Sequence, residues 1–532
     1  MKIMKWLRKG IFLLSLASFM TVLPGCGDTV DTAGEKPEGR AKEAVIPVEK
    51  GVSSEEEDIP VEEEDLPAKD SRYTWQEMTI TLPKDWEERC LVIENEQGFS
   101  IYQKASYEKD NTMGYVCGFF RTREPEELGS GGTLIAYRED GMLYYLIQAF
   151  DVSCDTEDEK IAGEYARMCQ QVPQIKTSLQ IADSGVHYHA EEYMLPTSSI
   201  LPLEQGMLEF MSDNDLWIAK NEIYARHGRQ FDNEYLQRYF NRCSWYEGSV
   251  PAKEFQDSSL NQTEKDNLHL LVLAEQEYDR KHPYPKKYQA KDTVEEDIEG
   301  SGTPDKICYE VIEQESGEYQ CRITVNGEIF NANEILYEDS EEIMTNPVMD
   351  CFYITDILEG DGALEIAVLD EGMSEDPVTY FFQYYDGILS YIGNVFGFPF
   401  AEQNGGLNGF DGTGGITGRQ RMDLIETAYP EGFWWYHGSR IICQDLDWYE
   451  LPPDLGHTLY ENLTVHTLRE ESSTVSVIPA GEQVFFLGSD MQQWILVKGK
   501  DGTRGYISVQ DGMIVEMNKL ASQVFSDLNF SD

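Results

Sequence analysis

At 532 residues the chain is too long for a single hydrophobic core, and about three to five domains are expected. Asp and Glu number 97 against 42 Lys and Arg, a formal charge of −55, and a field of that sign repels nucleic acid as a partner. With 41% hydrophobic and 12% aromatic residues there is material for folded cores, which excludes a wholly disordered chain.

The N-terminus, MKIMKWLRKG, carries Lys2, Lys5, Arg8 and Lys9 and no acid, so everything after residue 25 holds 38 − 97 = −59. An apolar run of twelve follows, IFLLSLASFMTV, short for a bilayer span and suited to an export signal. It ends in Leu23-Pro24-Gly25-Cys26. This segment resembles the lipobox of bacterial lipoproteins, with Pro24 where that family usually has a small or aliphatic residue. The resemblance implies cleavage after residue 25, lipidation of Cys26, and a protein held by acyl chains at the extracellular face of the membrane. Residues 26–70, which include SSEEEDIPVEEEDLPAKD, are acidic, proline-punctuated and without apolar periodicity, and are expected to form an extended, disordered tether.

From Tyr73 the texture changes. TWQEMTITLPKDW alternates as a strand and breaks at Pro83, CLVIENEQGFSIYQ reads as two strands around Glu96-Gln97-Gly98, and GYVCGFF and LYYLIQAF read as two more. In EDEKIAGEYARMCQQVPQI the residues Ile161, Ala162, Tyr165, Met168 and Cys169 are spaced for a helix on that sheet. An α+β domain is therefore predicted over 71–182. His187 and His189 in VHYHAEE are two apart, as strand metal ligands can be, but no third ligand is identifiable, so a solvated linker is expected there.

Residues 193–280 predict a small helical domain. Ser212 and Asp215 form a capping-box variant, and Leu216, Ala219 and Ile223 make one apolar stripe. Glu222 and Arg226 are four apart in the favourable order for an ion pair, His227 lies in the last turn, and Gly228 fits the left-handed position that ends a helix. A second helix is expected after Asp232 with Leu236, Tyr239 and Phe240 inward, and a third from Asn261 with Glu264 as capping partner and Leu268, Leu271 and Leu273 as its apolar residues. The string Tyr224-Ala225-Arg226-His227-Gly228, followed by LQRYF, Trp245-Tyr246 and Leu260-Asn261, resembles the YARHG domain of bacterial exported proteins. That resemblance implies a cell-envelope location and no particular reaction. Every group of the motif has a local structural use, so a structural or ligand-contact role is expected for His227 rather than catalysis.

Residues 281–303 are expected to be a linker, and 304–450 a β-rich domain with turns at Ser316-Gly317, Asn326-Gly327 and Asp386-Gly387. Cys308 and Cys321 flank a predicted hairpin and could face one another. In TDILEGDGALEI the oxygens of Asp356, Asp361 and Glu365 are of the type a calcium ion takes, but Leu358 stands where a ligand is required, so a plain acidic turn between strands is the stronger reading. The glycine-dense stretch 403–418, QNGGLNGFDGTGGITG, predicts a loop.

Over 455–516, short β runs are punctuated by Ala480-Gly481, Asp490 with Trp494, and Asp501-Gly502 leading into Gly505-Tyr506-Ile507. This rhythm resembles the bacterial SH3-type (SH3b) domain, with Tyr506 where the family often has Trp. The resemblance implies a small SH3-like β-barrel, wall peptides or peptidoglycan as ligand, and Trp494 and Tyr506 as aromatic contacts.

The expected fold class is thus multidomain α+β: an α+β domain, a small helical YARHG domain, a β-rich domain and an SH3-like barrel. No Walker loop, HExxH, GxSxG or GxGxxG occurs, and no catalytic, cofactor or metal residue is assigned. The function expected is that of a lipid-anchored, non-enzymatic surface protein of a Gram-positive envelope, binding or scaffolding through peptidoglycan or an envelope protein. The competing classes are an envelope-remodelling enzyme or its accessory subunit, with a site in 304–450, and a sensor or solute-binding lipoprotein.

Overall fold

The computed structural model describes residues 71–86, 88–124, 132–149, 151–372 and 376–530. The signal segment, Cys26 and the tether 26–70 lie outside the described residues. The chain divides into two compact units, Met1–Leu201 with Ser472–Thr474, and Pro202–Glu471 with Val475–Asp532.

In the first unit a hairpin, Ser71–Trp75 and Met78–Leu82, joins the short strand Gln180–Ile181. A six-stranded antiparallel sheet runs in the order Cys90–Glu94, Gly98–Gln103, Tyr115–Thr122, Leu143–Gln148, Gly132–Arg138, Val186–Tyr188. A short helix α1 (Lys104–Lys109) interrupts the strands, and α2 (Glu159–Thr177) is capped by Asp158, whose side chain accepts from the backbone of Lys160 and Ile161. Helix α2 buries Tyr165, Met168, Val172 and Ile175, the stripe predicted by its periodicity extended by a turn at each later step. The histidine segment is not a linker. Val186–Tyr188 adds the last strand to the sheet, pairing with Ala136–Arg138, and the His187 ring stacks on buried Tyr137 at 4.7 Å.

The second unit begins with a four-residue helix, Gln205–Leu208, followed by three longer ones, α3 (Asp213–Ala225), α4 (Glu234–Asn241) and α5 (Gln262–Lys281). Beyond them three antiparallel sheets stack as layers. The central one has five strands, Lys286–Gln289, Cys351–Thr355, Glu365–Asp370, Val378–Tyr385 and Ile388–Phe396. One face packs Phe352, Ile354, Ile366 and Val368 against Ile307, Tyr309 and Ile323 of a four-stranded sheet, built from Val294–Glu296, Asp305–Glu313, Tyr319–Val325 and Glu328–Asn331. The other face packs Tyr353, Ala367, Leu369 and Phe381 against Ile416, Trp434 and Tyr436 of a three-stranded sheet, Gly415–Arg419, Glu431–Tyr436 and Ile441–Gln444. A strand covered on both faces needs apolar residues at every step, which is why EIAVLD is buried throughout.

Several expectations change here. The segment 281–303 contributes strands to both larger sheets, because Tyr288 and Val294 turn inward while their lysine and glutamate neighbours face water. A helix the sequence reading missed, α6 (Ala332–Ser340), buries Ala332 and Leu336. Cys308 pairs with Thr324 and Cys321 with Val311, so alternation puts the two thiols on opposite faces of the hairpin, and both are free. The three predicted turns each join paired strands, at Gly317, Asn326-Gly327 and Asp386-Gly387.

The C-terminal sheet runs Tyr449–Glu450, Gln483–Ser489, Trp494–Gly499, Arg504–Gln510, Leu463–His466, Val475–Ile478, with short strands added at His457–Thr458, Met513–Ile514 and Lys519–Leu520. The predicted strands are present, and Asp490 Oδ1 accepts three backbone N–H groups, from Gln492, Gln493 and Trp494, to shape the turn it was expected to shape. Among the described residues the strand pairing does not close into a barrel: the order has two ends.

Candidate functional site

The YARHG string closes helix α3. Ser212 and Asp215 exchange both bonds of a capping box, and Leu216, Ala219 and Ile223 are buried as one stripe. At the far end Gly228 N donates to Ala225 O (2.8 Å) and Arg229 N to Tyr224 O (3.4 Å), the paired 5→2 and 6→1 bonds of a Schellman closure. Gly228 sits there at φ +74, and a Cβ at this position would lie 2.6 Å from Ser249 Oγ. The space is tight because Val250 bonds across to Gly228 O and Gln230 N, pinning the chain after the motif to the segment 247–250.

Each side chain of the motif is committed. Ala225 is buried against Leu236, Phe240, Cys243 and Tyr246. Arg226 donates to the fully buried Glu222 carboxylate at 2.5 Å, the predicted i,i+4 pair. His227 Nε2 lies 2.9 Å from Glu264 Oε1, and since the carboxylate accepts, the ring proton resides on Nε2. Glu264 is 2% exposed and also closes the capping box of α5, where its Oε2 accepts Asn261 N and its own N donates to Asn261 Oδ1. One carboxylate therefore ties the end of α3 to the start of α5. Tyr224 meets Phe255 edge-on at 5.7 Å, and the Arg229 guanidinium sits 5.1 to 5.9 Å from the Tyr224, Phe231 and Phe255 rings. The sequence reading missed Arg229, Phe255 and the double duty of Glu264. An arginine directly after the glycine, between two aromatics, was the signal available. Leu273, expected inward on α5, is 46% exposed, because it lies two residues beyond Leu271 and so on the opposite side of the helix.

The helical domain is gripped from two sides within its unit. On one side lies the glycine-dense loop. Asn214 and Asn408 exchange two bonds (2.8 and 2.9 Å), Asn233 Nδ2 donates to Gly405 O (2.9 Å), and any side chain on Gly406 would strike the Trp217 ring. On the other side Lys500 of the C-terminal sheet donates to the carbonyls of Asn241, Cys243 and Tyr246 at 2.6 to 3.0 Å, and Lys498 to that of Arg242 at 2.7 Å. These lysines place positive charge at the C-terminal end of α4, where the helix dipole favours it.

A cavity of about 350 Å³ opens beside α5, lined by Asp213, Tyr278, His282, Tyr284, Tyr353 and Phe400 among others. A groove of about 750 Å³ on the C-terminal sheet is lined by Glu426, Gln493, Gln510 and Ser522 among others. Neither is lined by Trp494 or Tyr506. Trp494 is only 8% exposed and packs edge-on against His466, so its ring is mostly committed inward. Tyr506 is half-buried against Trp448, over which the Arg469 guanidinium lies at 5.3 Å. Among the described residues no three His, Cys, Asp or Glu side chains are grouped so as to hold a metal ion. Nor does any described helix have the length and apolarity to cross a membrane.

Residues 191–276 match the YARHG domain family. The match spans the motif, its aromatic surroundings, and α5 through Glu264. No curated relative and no solved structure matches the chain.

Proposed function

We propose that this is a lipid-anchored, non-catalytic protein of the bacterial cell envelope, in which the YARHG domain is a rigid joint between binding modules. In this reading Cys26 carries the lipid, residues 26–70 give reach, and the folded units meet the wall or an envelope partner. The C-terminal sheet is an SH3-type module, and its ligand is peptidoglycan or a wall peptide. The observation that carries the reading is the commitment of the motif. Arg226 is spent on Glu222, and His227 on the carboxylate that caps α5. A histidine that donates Nε2–H to a buried helix cap is placed to hold two helices together, which supports an architectural role over proton transfer to a substrate. The Trp448–Tyr506 pair supports the wall-binding part, as half-buried rings on a β surface suit stacking on sugars.

Two measurements test this. The native protein should fractionate with membranes and lose that behaviour in Cys26→Ser; an unmodified Cys26 thiol in mass spectrometry of the native protein would refute the anchor. The complete chain without its first 25 residues should sediment with purified peptidoglycan, and the double variant Trp448→Ala, Tyr506→Ala should sediment less. Equal retention of both would remove the wall assignment from this surface.

A further inference from the structure

The turn between the strands Cys351–Thr355 and Glu365–Asp370 carries Asp356, Glu359 and Asp361, Glu365 opens the second strand, and the four are not equivalent. Asp361 Oδ1 accepts Ala363 N at 2.8 Å and shapes the turn. Glu359 does the fastening. Its carboxylate meets His282 Nδ1 just after α5 (2.5 Å), and its N–H donates to Gly412 O (2.9 Å), next to the Leu358–Thr413 bridge. One turn thus clasps the end of α5 and the glycine-dense loop.

Glu365 and Asp356 are different. Glu365 is fully buried on the strand face that also carries Ala367 and Leu369. Its Oε2 accepts Ile357 N (3.2 Å) and Thr355 Oγ1 (3.4 Å), while Oε1 is buried with no partner. Asp356 Oδ1 is likewise buried and unpartnered. The titratable groups facing them are the acids Asp361 and Glu359 and the imidazole of His282, which Glu359 already holds; the Tyr284 and Tyr436 hydroxyls complete the surroundings. A buried carboxylate without a cation must be neutralised or must move to water.

We propose that this turn is a proton-operated latch: Asp356 and Glu365 stay inside only while protons neutralise them, and when both ionise residues 356–364 lift and release the end of α5 and the loop they clasp. Burial first, and the neighbouring acids second, push Glu365 up to about 8 and Asp356 to about 6. An acid so raised binds its proton more tightly in the closed state than in the open one. Its stabilisation is complete below the ordinary carboxylate range and is lost as pH rises through the closed-state value. Asp356 therefore gives up its part by about pH 6, while Glu365 gives up its own from the ordinary carboxylate range up to about 8 and is the only one of the two still doing so above 6.

The test is hydrogen exchange by mass spectrometry on the intact protein from pH 5 to 9, corrected for the intrinsic pH dependence of exchange. In the wild type, peptides covering 356–364, 278–285 and 408–415 should open about tenfold more per pH unit between 6 and 8, and level off above. Glu365→Gln should remove that step. Asp356→Asn should retain a single step, moved to lower pH because a repelling neighbour is gone. A wild-type profile flat across this range, or the same slope in Glu365→Gln, overturns the latch. So does protection at pH 8.5 that calcium confers and EDTA removes, since the neutralising species would then be a metal rather than a proton.

Discussion

Glu222 and Glu365 lie in the same compact unit, both with no exposed surface, and the interior treats them in opposite ways. Around Glu222 the helical domain has placed Arg226, one helical turn away, so the charge is met where it stands. Around Glu365 the layered sheets have placed two more acids and an apolar face, so no counter-charge meets it and only Ile357 N and Thr355 Oγ1 donate to it. A buried carboxylate is therefore not by itself a sign of rigidity or of a site. Its counter-charge decides whether it locks the structure or leaves it poised.

The largest expected effect probes the lock. Arg226→Met takes the guanidinium away from the buried Glu222 carboxylate and should cost about 3–5 kcal/mol, read as a lowered denaturant midpoint of the second unit. If the pair is what matters, the double variant Glu222→Leu, Arg226→Met should recover much of that loss; a double variant as unstable as the single would break the comparison. Gly228→Ala comes next, at about 2 kcal/mol or more, since it adds the left-handed backbone penalty to a collision with Ser249. Removing the hydroxyl with Ser249→Ala should relieve the steric share alone. His227→Gln should cost about 1–3 kcal/mol, because Glu264 loses its ring donor, and should leave any measured ligand binding intact once the protein is folded. The smallest effect belongs to the other side of the comparison. At pH 5 Glu365→Gln replaces a protonated acid with its near-isostere and should shift the midpoint by about 1 kcal/mol or less, becoming stabilising as the pH rises toward 8. A loss there as large as that of Arg226→Met would mean that Glu365 is paired after all.

Much of the lock was legible in the sequence because it is local. The capping box at Ser212, the spacing of Glu222 and Arg226, the closing glycine and the start at Asn261 are all read within a few residues. Its completion was not, since the Glu264 that holds His227 lies 37 residues away and was already explained as a cap. The layered sheets followed a similar division. Hairpins with Asn-Gly and Asp-Gly turns announced themselves, whereas KKYQ and VEE looked like linker because their lysines and glutamates hide the inward Tyr288 and Val294. The acidic turn was found as a string, but whether its charges were exposed, ligated or stranded depended on which face of a doubly covered strand Glu365 occupied. The glycine-dense stretch read correctly as irregular backbone, except that Gly415–Arg419 is a strand. Its purpose, close passage over Trp217 and Tyr235, is invisible without the partner rings.

Lys500 links the beginning and the end of this unit in time as well as in space. The carbonyls it closes at the end of α4 belong to residues 254 to 259 positions earlier in the chain. A ribosome delivers those carbonyls long before it delivers the lysine. The helical joint must therefore wait, with that terminus met only by water, until the hairpin that carries Lys500 emerges. A nascent chain cut short before that hairpin would present an unfinished joint, so synthesis through Lys500 must precede its closure.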